Sequence, residues 1–378
     1  MKNNCFLILS PSDWGQVVVS NMQYALRFSR SPENSVYYFE SIATRAPKLN
    51  DFPRITKRIL QSILYARPAH TQLMDPEALQ LRSPLVIPWH ENFVARKINK
   101  IMLMRYIEKI ISIHQTDQLY IVIYNPYWLD IVKEITTPYK LLFHCVDNLS
   151  TYSSSPVYMK KLNELKKYAH KIIVPNEILK SEFIEQNSKT YVIPHGCSHE
   201  VNPTRKFNNY QVVYSGNLAD WMDYDLLEII VNCCPKFQFH FVGSITAKSN
   251  IKRVNALFEK NNVTYHGKVS YDELEKIYAQ CSIGIVPYDP NNIHIKFSTP
   301  TKFLDYIFSG LRVLSTNFPN ARAFGKLVEI ANSPGEFAKL IQSEIELDDD
   351  YQAKRMELIT QSSWDQRFEQ FKSILYED

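Results

Sequence analysis

The residues best suited to chemistry lie in one stretch of the second half of the chain. Gly284-Ile-Val-Pro-Tyr288 predicts a buried strand and a short loop, and Pro300-Thr-Lys-Phe-Leu-Asp-Tyr306 begins a predicted helix soon after it. In open α/β sheets ligands bind at the carboxyl ends of strands, and a helix N-terminus presents unpaired N–H groups and a partial positive charge. The pattern therefore predicts a diphosphate site, with Lys302 as a cation in the first helical turn.

Lys302 and Asp305 are predicted to act together. A lysine at a helix start opposes the helix dipole, so an anion bound there would explain its presence. Asp305 lies about one turn later on the same face and could bind the hydroxyls of a sugar or ribose. The alternative is a helix with Pro300 at its first position and an incidental lysine.

Two aspartates in the first half follow predicted strands and are candidates for a general base. Asp147 comes directly after the apolar run Phe143-His-Cys-Val, and Asp13 lies in Pro11-Ser-Asp-Trp-Gly15 after the first predicted strand. A carboxylate in such a loop can take the proton from an attacking hydroxyl. The alternative for each is an aspartate that caps a helix or stabilises a turn.

Residues beside these acids could support them. His144 and His195 could assist in proton transfer, although a single histidine is more often a packing residue. Trp14 and Gly15 are candidates for contact with a sugar acceptor, because an aromatic ring can stack on the face of a sugar.

No cluster in the sequence has the spacing of a metal site. The six cysteines form no Cys-x-x-Cys pair, and several lie in apolar runs, where a thiol behaves as a small buried hydrophobe. The acidic run Asp348-Asp-Asp350 predicts an exposed turn. We therefore expect structural cysteines, and neither a metal ion nor another cofactor.

The elements that must position these residues alternate between strand and helix. In the second half we predict strands over 211–215, 237–242, 263–266, 282–286 and 312–315, separated by helical runs. In the first half we predict strands over 5–10, 35–39, 119–124, 140–145 and 171–174. Strands regularly separated by helices are typical of a doubly wound parallel sheet, so two α/β units follow one another.

A chain of 378 residues is long enough for two domains. We predict an acceptor-binding Rossmann-like domain over 1–195 and a donor-binding Rossmann-like domain over 196–355. Residues 356–378 are expected to form a C-terminal helix that packs back toward the N-terminal domain.

The net charge is +4, with an excess of basic residues in the first 200 positions. Stretches 54–67 and 96–109 combine these basic residues with apolar ones at helical spacing. Each is either a solvated helix face or a surface for an anionic membrane or a phosphorylated acceptor. No basic-aromatic module indicates nucleic acid as a partner. Because no apolar run has the length of a membrane span or a signal peptide, we expect a cytoplasmic protein, with contact at the inner face of the plasma membrane as an option.

The motif Pro-x-Lys-x-x-Asp-Tyr, followed by Ser309-Gly310 and a strand ending in Ser-Thr, resembles the donor-site motif of bacterial GT-B glycosyltransferases that build surface polysaccharides. The segments 192–196, 214–221 and 241–243 match the same group in order and spacing. The chain resembles the teichuronic-acid glycosyltransferases (TuaH-like proteins, similar to glycosyltransferase family 4) and, more distantly, the xanthan-assembly glucuronosyltransferase. The resemblance covers about residues 140–320.

The resemblance implies a GT-B fold, with two Rossmann-like doubly wound domains facing a central cleft. It also implies metal-independent transfer of a sugar from a nucleotide-diphosphate donor, with a UDP-sugar favoured, to a polysaccharide or lipid-linked glycan. Lys268 stands where the family contacts the nucleotide base. The residues that it assigns to the donor are Gly216, Asn217, Gly243, Lys268, Tyr288, Thr301, Lys302 and Asp305.

One departure from the family pattern bears on stereochemistry. Many retaining members carry Glu-x7-Glu, with the second acid at the position of Asp305, but the first position is Phe297 in this chain. This favours an inverting reaction, which needs a general base. The alternatives are a nucleotide-sugar 2-epimerase on the same fold and a non-catalytic subunit that binds nucleotide or glycan. A dehydrogenase is disfavoured, since no Gly-x-Gly-x-x-Gly follows a predicted strand.

Overall fold

A computed structural model of the protein describes residues 4–15, 19–42, 56, 79–87, 89–114, 117–151, 155–199, 201–202, 210–344 and 348–377. The chain divides into two compact units. The first unit is Met1–Ile193 with Phe368–Asp378, and the second is Pro194–Arg367.

The first unit is built on a parallel sheet. Its strands are β1 (Asn4–Leu9), β2 (Asn34–Phe39), β3 (Leu79–Arg82), β4 (Gln118–Ile123), β5 (Tyr139–His144), β6 (Lys171–Val174) and β7 (Thr190–Val192). Within the described ranges these seven strands are ordered β3-β2-β1-β4-β5-β6-β7. The helices between consecutive strands are α1 (Ser20–Phe28), α2 (Phe93–Ile113), α3 (Leu129–Val132), α4 (Pro156–Tyr168) and α5 (Glu177–Ser181).

The second unit repeats the plan. Its strands are β8 (Gln211–Ser215), β9 (Gln238–Val242), β10 (Val263–Gly267), β11 (Ile283–Val286), β12 (Arg312–Thr316) and β13 (Glu329–Ala331). Over the described residues the order is β10-β9-β8-β11-β12-β13, again parallel. The helices are α6 (Tyr224–Cys233), α7 (Ile251–Phe258), α8 (Tyr271–Gln280), α9 (Ile293–Phe297), α10 (Lys302–Phe308), α11 (Pro319–Arg322) and α12 (Pro334–Gln342).

The central strands explain why the sheets form. In β1 the side chains from Cys5 to Leu9 are almost completely buried, and Leu7 pairs with Tyr37 on one side and Ile121 on the other. Strands that are covered on both faces appear in the sequence as continuous apolar runs, and such runs predict the central strands of both sheets. The strands missing from the prediction, β3, β7 and β13, are short and lie at sheet edges, where no long apolar run is needed.

In each sheet the strand order reverses once, between β1 and β4 in the first unit and between β8 and β11 in the second. At such a point the connections leave on opposite sides of the sheet and a crevice opens at the carboxyl ends of the strands. The topology therefore predicts a ligand site near the loops after β1 and β8.

The end of the chain differs from the prediction of one helix over 356–378. The structure has two helices, α13 (Asp349–Gln361) and α14 (Trp364–Tyr376). The break falls at Ser362, whose carbonyl accepts the N–H of Cys197 at 2.9 Å instead of continuing one helix. Asp348, predicted in an exposed turn, caps α13 by accepting the N–H of Tyr351 at 2.8 Å.

Among the described residues, no helix combines the length and the apolar character that a membrane crossing requires. The basic stretch 54–67 lies outside the described residues apart from Thr56. The stretch 96–109 lies within α2.

Candidate functional site

Three neighbouring strands of the second unit end in glycines that hold their carboxyl ends close together. Gly216, Gly243 and Gly267 have φ of +135°, +133° and +67°, which disfavour a side chain. Gly216 N donates to Val242 O at 2.8 Å, and Gly243 N donates to Gly267 O at 2.7 Å. A Cβ on Gly243 would lie 2.1 Å from the carbonyl oxygen of Gly216. The three strands therefore end in closely packed backbone that carries no side chain at these positions.

The ammonium group of Lys302 lies beside this edge. Its Nζ donates to the hydroxyl of Tyr288, and it stands 4.8 Å from the ring centre of Tyr288 and 5.2 Å from that of Tyr214. A Cβ on Gly216 would come within 3.2 Å of Nζ. Within the described part of the chain Lys302 forms no ion pair. Its charge is thus positioned by ring faces and a phenol, and remains available to an anion.

The tyrosines around Lys302 are themselves fixed. The hydroxyl of Thr316, at the end of β12, donates to the carbonyl oxygen of Tyr288 at 2.6 Å. The hydroxyl of Tyr214 donates to the carbonyl of Asn217 at 2.8 Å, and burial raises the pKa of Tyr214, so this phenol remains a donor. Neighbouring strands thus hold the lysine in place through their side chains.

The predicted helix start differs from the observed one. Helix α10 begins at Lys302 and has seven residues, so Pro300 precedes the helix instead of opening it, and the side chain of Thr301 makes no capping bond. A helix this short has a small dipole. The groups suited to an anion here are therefore the Lys302 ammonium and the backbone of the glycine-ended strands, and the helix dipole adds little.

Asp305 lies in a cluster of polar side chains behind Lys302. Its Oδ1 is 3.3 Å from Nε2 of His199 and 3.7 Å from the thiol of Cys197. Nδ1 of His199 contacts the carboxylate of Glu275, and the ring of Tyr271 lies 4.7 Å from the histidine ring. Burial raises the pKa of Asp305, while His199 and Lys302 act in the opposite direction. The histidine therefore orients one oxygen of this carboxylate.

Sequence reasoning missed His199 and Glu275. The histidines predicted to assist were His144 and His195, and His195 lies four residues before His199. Glu275 lies in α8, one turn after Tyr271, and nothing in its local sequence separates it from the exposed acids of the same helix. The position of His199 could have indicated a role, because it lies just after the predicted domain boundary, where the chain enters the second sheet.

The other predicted donor residues lie at the same edge of the second sheet. Asn217 follows Gly216, and Lys268 follows Gly267; both side chains are exposed. Thr301 is exposed beside Lys302. Phe297, which takes the place of the first acid in the retaining pattern, is buried in α9. Position 297 therefore carries a buried apolar side chain and no acid.

In the first unit, Asp13, Trp14 and Gly15 lie in the loop after β1. The N–H of Trp14 donates to Glu40 Oε1 at 2.9 Å, and its ring packs edge-on against Tyr38 with centroids 4.9 Å apart. Glu40 follows β2, is buried, and also accepts the hydroxyl of Ser83. This acid, which sequence reasoning missed, holds the loop that carries Asp13.

Asp147 lies in the loop after β5 and is partly buried. Its Oδ1 accepts the N–H of Asn148 at 2.8 Å, and its backbone carbonyl accepts the thiol of Cys145 at 3.0 Å. His144 is buried, with Nδ1 3.0 Å from the hydroxyl of Tyr124 and its ring packed against Phe371. Thus Asp147 lies partly buried in the loop after β5, and His144 is buried among aromatic rings.

The described residues contain no group of three or more His, Cys, Asp or Glu side chains placed to hold a metal ion. The expectation that the reaction needs no metal or other cofactor stays a prediction. The cysteines at positions 5, 145, 197, 234 and 281 are buried, and Cys233 is exposed; all six are free thiols.

Residues 209–346 match the protein-family model described as "Glycosyl transferases group 1". This stretch contains the glycine-ended strands, Tyr288, Lys302 and Asp305. No curated protein sequence matches the chain.

Solved glycosyltransferase structures share the fold. A sucrose-phosphate synthase from Thermosynechococcus elongatus has a TM-score of 0.65 at 13% identity, covering 99% of this chain and 98% of its own. WaaG, a glycosyltransferase involved in lipopolysaccharide biosynthesis, has a TM-score of 0.58 at 12% identity over 99% and 100%.

A mutant of TarM from S. aureus, crystallised with Fondaparinux, alpha-GlcNAc-glycerol and UDP, has a TM-score of 0.56 at 14% identity over 74% of this chain. The chain spans 59% of the length of that protein. At these identities the proteins share the fold alone. The predicted fold class, with two doubly wound parallel α/β sheets of the GT-B kind, is confirmed.

Proposed function

We propose that the protein is a glycosyltransferase whose second unit binds the diphosphate of a nucleotide-sugar donor. One observation carries the proposal: the Lys302 ammonium is held beside the bare backbone edge at Gly216, at the point where the strand order reverses. A cation and a close-approaching backbone at such a point suit a diphosphate. The match of residues 209–346 to the group 1 glycosyltransferase model supports the same assignment.

The chemistry that this edge supplies is stabilisation of a leaving group. When the bond between sugar and diphosphate breaks, negative charge develops on the diphosphate. A preorganised cation in a partly desolvated site lowers the free energy of that state. We assign this role to Lys302, with Tyr288 and Tyr214 keeping the ammonium group in place before the donor binds.

We assign Asp305 to the hydroxyl groups of the donor. A carboxylate accepts hydrogen bonds from sugar or ribose hydroxyls, and it does so with less loss of side-chain entropy when a neighbour already orients it. His199 provides that orientation through its contact of 3.3 Å with Oδ1. Lys268, at the end of β10, is the candidate for contact with the base.

We assign the acceptor and the general base to the first unit. Asp147 and Asp13 are the candidate bases, and Trp14 with Gly15 the candidate acceptor contacts. An inverting reaction fits best, since the apolar side chain of Phe297 stands where retaining relatives carry an acid. The donor that we favour is a UDP-sugar, and the acceptor a surface polysaccharide or its lipid-linked precursor, reached from the cytoplasm.

The test is a thermal-shift titration of the purified chain with UDP, GDP, CMP, ADP and NAD. A ligand that binds the native state alone raises the melting temperature by mass action. We expect a shift with one nucleoside diphosphate. In Lys302→Ala the affinity for it should fall about 10- to 100-fold, since hydrogen bonds to charged groups contribute about 1.5–3 kcal/mol.

Lys354→Ala is the matched control, because Lys354 lies in the same unit in an exposed ion pair with Asp350. It should bind the nucleotide as the unaltered chain does. Absence of a shift with every nucleotide, or an equal loss in both variants, would refute the proposed donor site.

A further inference from the structure

Helix α2 carries apolar side chains on two opposite faces. Toward the unit it buries Ala95, Leu103, Met104, Ile107 and Ile110. On the other side Val94, Ile98 and Ile101 recur at intervals of four and three residues, Met102 follows Ile101, and all four are exposed. A helix that packs on one side normally carries polar groups on the other. This outer face of α2 is therefore suited to an apolar environment.

Further exposed apolar side chains lie at the start of the helix and before it. Phe93, at the start of the helix, is 70% exposed, and Val94 is 61% exposed. Trp89, just before the capping residue Asn92, is 54% exposed. Single exposed apolar side chains are ordinary, but a contiguous group of them marks a contact surface.

Cations are interspersed along the same face. Lys97, Arg105 and Lys109 are exposed, and among the described residues none of the three forms an ion pair. The groove beside the helix is lined by the cations Arg96 and Lys160 and by the acids Asp130 and Glu164, and both acids form ion pairs with lysines. Residues 89–113 contain two acids, Glu91 and Glu108, against five lysines and arginines, so the surface remains positive.

We propose that the outer face of α2 docks on an anionic lipid surface. The aliphatic side chains would enter the boundary between headgroups and acyl chains, and the cations would lie at the level of the headgroups. Trp89 suits that level because an indole is apolar with a polar edge. This inference goes beyond glycosyl transfer and does not depend on it.

Two other occupants fit the surface less well. A second copy of the chain, docked across a two-fold axis, would bring the same uncompensated cations together. Nucleic acid would use the cations but would leave the aliphatic side chains in water, because its affinity comes mainly from phosphate contacts.

The test is flotation of the full-length chain with vesicles of phosphatidylcholine, with and without phosphatidylglycerol. We expect the chain to float with the anionic vesicles and to be released by high salt. The variant Val94→Ser/Ile98→Ser/Ile101→Ser should bind at least about tenfold less, because the apolar contacts are lost. The variant Lys97→Glu/Arg105→Glu/Lys109→Glu should bind about a hundredfold less, since each basic residue contributes about fivefold at an anionic surface.

The matched control is Ile229→Ser/Ile251→Ser, which removes two exposed apolar side chains from the second unit. It should float as the unaltered chain does, and circular dichroism should show that every variant is folded. Failure of the unaltered chain to float, or equal flotation of all variants, would overturn the proposal. So would a dimer of the unaltered chain that the serine variant converts to a monomer in light scattering, because the face would then be a self-interface.

Discussion

The carboxyl edges of the two sheets carry opposite chemistry. In the second unit, β8, β9 and β10 end at glycines with positive φ, and the side chain beside them is the cation Lys302. In the first unit, β1, β2 and β5 are followed by the acids Asp13, Glu40 and Asp147. Because both sheets are parallel and each reverses its strand order once, the topology places a crevice at the carboxyl edge of each sheet. The residues that follow the strands decide which site suits an anion and which can accept a proton.

The two edges also differ in what holds them. The second-unit edge is held by backbone hydrogen bonds between glycine-ended strands, and at Gly243 the backbone of Gly216 leaves no room for a side chain. The first-unit edge is held by side chains: Glu40 accepts the N–H of Trp14, and Ser10 Oγ lies 2.7 Å from the hydroxyl of Tyr38. Substitutions at the second-unit edge should therefore affect folding. At the first-unit edge the carboxylates of Asp13 and Asp147 are the candidates for chemistry, and Asp147 Oδ1 also accepts the N–H of Asn148 at 2.8 Å.

The largest effect is expected at the first-unit edge. If Asp147 is the general base, Asp147→Asn should lower kcat by about 10²- to 10⁴-fold while leaving nucleotide affinity unchanged. The rate of UDP release in the presence of acceptor measures kcat, and the thermal-shift titration measures the nucleotide affinity. A loss of that size in Asp13→Asn instead would move the assignment to Asp13. Full activity in both variants would contradict a base at this edge.

The next effect concerns the backbone of the second-unit edge. In Gly243→Ala the new Cβ would lie 2.1 Å from Gly216 O at a φ of +133°, so the free energy of unfolding should fall by about 3 kcal/mol or more. Urea unfolding measures it. Gly335→Ala is the matched control, because a Cβ at Gly335, in α12, meets no atom within 4 Å. Equal stability of the two variants would show that the edge can rearrange.

A smaller effect is expected from the polar cluster behind Lys302. In His199→Ala or Glu275→Gln, Asp305 should lose its orientation, and the affinity for the nucleotide sugar should fall about fivefold, the equivalent of one hydrogen bond. The affinity for UDP without the sugar should change less if Asp305 contacts the sugar. Glu273→Gln, an exposed acid of the same helix, is the control and should bind normally. Unchanged affinity in both cluster variants would leave His199 a packing residue.

The smallest effect is a pH dependence of stability. Burial raises the pKa of Asp305 above its ordinary value of 3.8, so between that value and the raised one the folded state holds more protons than the unfolded state. The contribution of Asp305 to stability is therefore present at low pH and is lost as the pH rises through this window. The variant Asp305→Asn has no carboxyl group at this position, so the titration of Asp305 is absent from it. The free energy of unfolding of the unaltered chain, relative to this variant, should fall as the pH rises from about the ordinary aspartate pKa. A constant difference would contradict the raised pKa.

Much of the fold follows from local patterns. The central strands are apolar on both faces, as β1 is from Cys5 to Leu9, and their length and flanking turns separate them from helices. Edge strands such as β13, with three residues, carry no such run. The split between α13 and α14 escaped prediction because the carbonyl of Ser362 bonds to Cys197, a residue far away in the sequence.

By itself, the sequence determined the alternation of strand and helix, the two units, the glycines at the ends of β8 to β10, and the placement of Lys302 and Asp305 after β11. These features depend on residue type and short-range spacing. Only the tertiary structure decided that His199, Glu275 and Asp305 meet, that Glu40 holds the loop of Asp13, and that α2 exposes an apolar face. Hydrogen-bond partners and exposed faces depend on which elements pack together. That packing joins residues that are far apart in the sequence, and no regular spacing predicts which of them meet.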